Sequence, residues 1–145
     1  MKVAYKVFPT DQDPGYAGAP STWMPVLPVA LQVNHNKSHR FDALVDSGAF
    51  TTYFHSDIGK ALGLKVEEGQ PGLLRGVVNA PPATVYYHQV KLCIAEHVLS
   101  IRAGFYDKLG WAGILGRHGF FEHFPVTFDP SSAPPGLEVV RIHRI

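Results

Sequence analysis

Short runs whose positions alternate with a period of two, the pattern of strands that bury one face, recur along the chain. Met1 to Phe8 alternates and is rich in Val and Tyr, which predicts a strand, and Pro9 to Thr22, with its Asp, Pro, Gly and Ser, reads as a loop. Met24 to Val33 is strand-like again, and Pro25 and Pro28 within it suit an edge or a strand start because proline donates nothing to a ladder. Asn34 to Lys37 has hairpin-turn chemistry, and the return strand Arg40 to Val45 runs directly into Asp46. Helical signals are brief. Ser56 as N-cap, Asp57 in the first turn and Gly63 as a stop predict a short helix over 56–63, and Gly119 to Phe124 reads as a second. Between them, Gly72 to Val78 and Thr84 to Ala95 form the arms of a long hairpin through Asn79, Ala80, Pro81 and Pro82. Val98 to Phe105, Pro125 to Phe128 and Leu137 to Ile142 complete the strands. The order is nearly all β.

Composition agrees with this and narrows the function classes. With 145 residues, 46% of them apolar and 17% charged, the chain suffices for one sizeable core, so a single domain over 1–145 is expected. Its 14 glycines and 12 prolines are scattered, as turns between short elements require. A net charge of +1 with dispersed basic residues offers no footprint for nucleic acid or an anionic membrane. No stretch reaches the roughly 20 apolar residues of a membrane helix. Lysines interrupt the apolar start, so a signal peptide is not expected, and a cytoplasmic protein is. The single cysteine, Cys93, lies in an alternating apolar run, the setting of a buried structural thiol.

The candidate chemistry sits at Asp46-Ser47-Gly48-Ala49. An Asp-Ser-Gly triplet alone is a common turn; here it follows the apolar strand Ala43-Leu44-Val45, and a small hydroxyl residue, a glycine and an alanine come next. Such a loop holds a carboxylate at the floor of a cleft. Far downstream, Ile114-Leu115-Gly116-Arg117 sets two branched apolar residues and a glycine before the second expected helix. Together these motifs resemble those of the retropepsin-like aspartic proteases. In that family an Asp-Thr/Ser-Gly-Ala loop and a hydrophobic-hydrophobic-Gly segment cross beneath the active site, and the resemblance follows the order of elements from about Pro25 to Phe128.

The resemblance implies an all-β, closed barrel-like domain with one or two short helices and a flap hairpin, hydrolysing peptide bonds with Asp46 and no cofactor. Ser47 would reach across a dimer axis, and Gly48 would offer backbone to a substrate held as an extended strand. Phe50 and the flap residues Val77, Val78 and Asn79 would meet the substrate, and Ile114, Leu115, Gly116 and Arg117 would support the loop from below. Such chemistry uses two carboxylates sharing a proton. Asp11, Asp13, Asp42, Asp57, Asp107 and Asp129 all lack a following Ser/Thr-Gly, so the second carboxylate is expected from a second copy of the chain in a two-fold dimer.

Two departures separate this chain from the retroviral members. They commonly carry an acid at the position of Phe50, paired with the arginine matched by Arg117; without it Arg117 needs another partner. Their flap tip is glycine-rich, whereas Pro81 and Pro82 stiffen this one and remove two donors. Both motivate an alternative, a catalytically weak or inactive peptide-binding or dimerisation domain. The apolar ends, Val3-Ala4-Tyr5 and Val139-Val140-Arg141-Ile142, can interleave between two chains or pair within one. Other chemistries have less behind them. His35 and His39 flank a turn, His118 and His123 are five apart, and no metal site is expected; no serine lies in a Gly-x-Ser-x-Gly elbow. Tyr86, Tyr87 and Trp111 read as core or cleft-wall aromatics.

Overall fold

The computed structural model describes residues 1–74 and 81–140. Among the described residues, thirteen strands and one α-helix follow in the order β1 (Lys2–Ala4), β2 (Lys6–Pro9), β3 (Ser21–Met24), β4 (Val26–Val33), β5 (Asn36–Lys37), β6 (Phe41–Val45), β7 (Tyr53–His55), α1 (Ser56–Ala61), β8 (Gln70–Leu74), β9 (Ala83–Ile94), β10 (His97–Tyr106), β11 (Gly113–Leu115), β12 (Val126–Asp129) and β13 (Gly136–Val139). Eight strands lie in the order β5-β4-β6-β11-β7-β10-β9-β8, and a further pairing of β4 with β9 closes six of them into a barrel. Closure removes the open edges of those six strands. The pairs β6–β11 and β7–β10 run parallel, and the rest of the ring is antiparallel. The all-β, closed barrel-like class read from the resemblance is the observed one.

The period of two is visible in burial. Along β10, Leu99, Ile101, Ala103 and Phe105 point inward while Val98, Ser100 and Arg102 face out. Within the barrel, Phe54 meets the rings of Phe41 and Phe105 at centroid distances of 5.9 and 6.1 Å, and Leu27, Leu31, Leu92, Ile94, Leu115, Phe120 and Phe124 join the same core. Pro28 sits inside β4, where the register gives β6 as the neighbour; β9 joins only from Ala30 onward, so the missing donor costs no ladder bond there.

Several boundaries differ from the sequence reading. The first strand breaks at Tyr5 into β1 and β2, because the two halves serve different sheets: β1 pairs with β13, and β2 with β3. The 9–22 loop ends earlier than its composition suggests, since Ser21 and Thr22 join β3 and set Trp23 opposite Val7. The short helix is capped by His55, whose Nδ1 accepts the Asp57 amide, and not by Ser56, which is buried in the first turn. The second helix is an irregular turn over Arg117–Phe121, where His118 has extended backbone and Gly119 has φ of 92°, a left-handed conformation that favours glycine. Both chain ends pair within one chain, in the sheet β1-β13-β12, as far as Val139. The flap-tip candidates Val77, Val78 and Asn79 lie outside the described residues.

Phe54 is fully buried and in ring contact on two sides. Phe54→Ala is expected to cost about 3–5 kcal/mol of stability, read as a lower urea midpoint at unchanged slope.

Candidate active site

Asp46 is placed by the end of β6. Val45 donates its amide to Pro25 O at 2.9 Å, and Asp46 donates to Leu115 O at 3.0 Å, so the parallel β6–β11 pairing extends one residue into the loop. The chain then turns. The Gly48 amide donates to Asp46 Oδ1 at 2.9 Å, and the Ala49 amide to Asp46 O at 3.2 Å. These bonds fix the carboxylate while Asp46 stays half-buried and Ser47 and Gly48 are exposed. A Cβ on Gly48 would lie 3.2 Å from Asp46 Oδ1, so a side chain there crowds the carboxylate. The Ser47 hydroxyl has no hydrogen-bond partner among the described residues.

The downstream motif locks the loop from below. Arg117 donates its amide to Ala49 O and His118 to Phe50 O, both at 3.0 Å. Between these strands of chain lies Thr52, fully buried, whose hydroxyl accepts the Gly116 amide at 3.2 Å and donates to His118 O at 2.8 Å. Gly116 is required here for space: its φ of −110° suits any residue, but a Cβ would overlap the Thr51 carbonyl oxygen and fall 2.8 Å from Ala49 O. Ile114 and Leu115 pair with Leu44 and Val45, and Leu115 is fully buried. The two motifs are thus one hydrogen-bonded unit. Thr52 was not singled out in the sequence; a β-branched hydroxyl residue just past the loop, at the head of an apolar strand, is the signal that points to it.

Arg117 has found a partner without an acid. Its guanidinium lies over the ring of Phe50, 4.5 Å from the centroid, a cation–π contact between two exposed side chains. Phe50 is 63% exposed and begins the wall of a cleft of about 540 Å³ that continues through Thr51, Tyr53, Leu73, Tyr87, Arg102 and the 118–122 turn. That turn is held by Glu122, whose carboxylate accepts the Gly119 amide at 2.8 Å. The same bond, with the neighbouring charges of His123 and His118, keeps the Glu122 carboxyl below the usual glutamate range. In the same cleft, burial and then the neighbouring Tyr87 hydroxyl push the Tyr53 hydroxyl up.

No family model and no curated protein matches the chain. Among solved structures, the chain is similar to a retropepsin-like aspartic protease from Rickettsia conorii, at a TM-score of 0.57 and 13% identity, over 96% of this chain and 88% of that one. At that identity the likeness is one of fold.

Gly116→Ala is expected to destabilise the chain by about 3 kcal/mol or more, because backbone and not a flexible side chain must move; thermal unfolding checks it. Glu122 makes a second test. Because its folded pKa is depressed, its contribution is full above the unfolded value of about 4.3 and is lost as pH falls through the folded value. The wild-type chain should therefore lose more stability than Glu122→Gln between about pH 5 and pH 3, measured by urea unfolding at each pH.

Proposed function

We propose that the chain is an aspartic endopeptidase that works as a homodimer, with the two Asp46 carboxylates facing each other across the two-fold axis. The supporting observation is the locked loop: one carboxylate is fixed by the Gly48 amide and braced by the crossing of Gly116 beneath it, and the same loop runs on into Phe50, the first residue of the cleft wall. The likeness in fold to a retropepsin-like aspartic protease supports the same reading.

A second copy completes the chemistry. Two carboxylates in contact hold one proton between them, since like charges that close do not both ionise. The ionised one takes a proton from a water whose oxygen attacks the peptide carbonyl carbon, and the protonated one gives its proton to the carbonyl oxygen. The tetrahedral intermediate then collapses: the C–N bond breaks, the amine leaves with a proton from the dyad, and one hydroxyl of the intermediate returns its proton to the dyad as the new carboxyl forms. The uncommitted Ser47 hydroxyl suits a bond to the partner's loop. Ile114, Leu115, Gly116 and Arg117 act as supports, Phe50 as cleft wall, and Val77, Val78 and Asn79 as the flap tip that closes over an extended peptide.

A second reading, a peptide-binding or dimerisation domain with weak or no catalysis, is favoured by Phe50. The position beside the loop carries a ring stacked under Arg117 where an acid would grip a substrate backbone. Light scattering and cleavage of a broad peptide mixture separate the two. The peptidase reading expects dimers at micromolar concentration, cleavage with a bell-shaped pH profile on the acidic to near-neutral side, and complete loss of cleavage in Asp46→Asn with fold and dimer retained. Cleavage surviving in Asp46→Asn sinks it, and a dimer that binds but does not cut peptides establishes the second reading.

A further inference from the structure

The cleft beyond Phe50 has a composition that the proposed chemistry does not require. Its floor is the ring of Tyr87, seated between two glycines that neighbour it across the sheet. A Cβ on Gly72 would lie 2.6 Å from that ring and would displace it, while one on Gly104 would lie 2.9 Å from the Tyr53 ring and 3.2 Å from Tyr87, crowding both. Over the ring lies Arg102, its guanidinium carbon 5.6 Å from the Tyr87 centroid and one Nη bonded to the Gln70 side-chain carbonyl. Arg102 is thus a pre-positioned cation with a neutral partner, and it forms no ion pair with a carboxylate among the described residues. A guanidinium has five N–H donors, so a fork remains for an incoming carboxylate.

Glu122 lines the same cleft without an ion pair to Arg102. Its carboxylate accepts the Gly119 amide and lies 3.7 and 3.4 Å from His118 and His123. The cleft therefore offers an apolar wall of Phe50, Leu73 and Tyr87 ending at a cation, complementary to a side chain with an apolar stem and an anionic head.

We propose that this pocket is a specificity subsite selecting peptides that place a glutamate side chain in it, the methylenes on Tyr87 and the carboxylate on Arg102. The assignment rests on the dimeric peptidase reading, in which the pocket occurs twice. Two-fold symmetry then reads the preference at equivalent positions on both sides of the scissile bond.

A positional-scanning peptide library tests this twice, by binding to the Asp46→Asn protein and by cleavage with the wild type. Glutamate should be enriched about tenfold over glutamine at one position, or at the symmetric pair. Arg102→Gln should erase that ratio, Arg102→Glu should turn it toward lysine, and Arg102→Lys, which keeps the charge but not the fork, should retain it in reduced form. Equal selection of Glu and Gln at every position overturns the subsite, as does a ratio unchanged in Arg102→Gln or Arg102→Lys. Failures are separable: cleavage without the preference removes the subsite and leaves the peptidase, whereas Arg102-dependent binding of Glu peptides without cleavage by the wild type keeps the subsite and removes the peptidase.

Discussion

Two lengths of backbone, 46–52 and 115–118, pass so closely that only glycine fits at the crossing, and the order of the site follows from that contact. Gly116 brings the second length beneath the first, and the amides of Asp46, Arg117 and His118 then find carbonyl partners across the gap. Thr52 joins the two lengths with a single hydroxyl that accepts the Gly116 amide and donates to His118 O. Buried backbone left unpaired here would be costly, so the hydrogen bonds and the absence of a side chain at 116 are one constraint. The consequence reaches the surface: a carboxylate at 46 is held still because the carbonyls and amides behind it are already paired.

The barrel is the frame that makes the crossing possible. Parallel pairing brings the ends of β6 and β11 side by side, and the antiparallel β11–β7 pairing sets Tyr53, the start of β7, next to Ile114. Fully buried Phe54 and Phe105 fill the space under β7 and β10, so the packing that closes the barrel also spaces the strands that carry the loop. The glycines that seat Tyr87 use the same device at the cleft wall, where absent side chains define where a ring lies.

How far the sequence is legible depends on whether a signal is local. The barrel strands, the Asp46 loop and the Ile114-Leu115-Gly116 segment are legible because each combines a hydrophobic period with a motif inside a few residues. The second helix misleads: Phe120 and Phe121 give a helical pattern, but Gly119 takes a left-handed conformation and Glu122 turns back onto its amide, so one irregular turn forms instead. His55 displaces Ser56 as the cap because the serine is needed inside. The roles of Thr52, Arg102 and Tyr87 are invisible locally, since each depends on a neighbour brought in from elsewhere in the chain. The partner of Arg117 is the opposite case. Phe50 looks like a loss beside it in the sequence, yet in the structure the ring itself takes the cation.

The bond from Thr52 to His118 joins residues 66 positions apart, and that separation bears on how a newly made chain acquires its site. The β9–β10 hairpin is local and cheap in loop entropy, whereas the crossing forms only after most of the chain has been gathered. A chain still unfinished at residue 114 therefore has Asp46 but no floor beneath it. A half-made copy thus has the Asp46 loop without the paired backbone of 115–118 that holds it still.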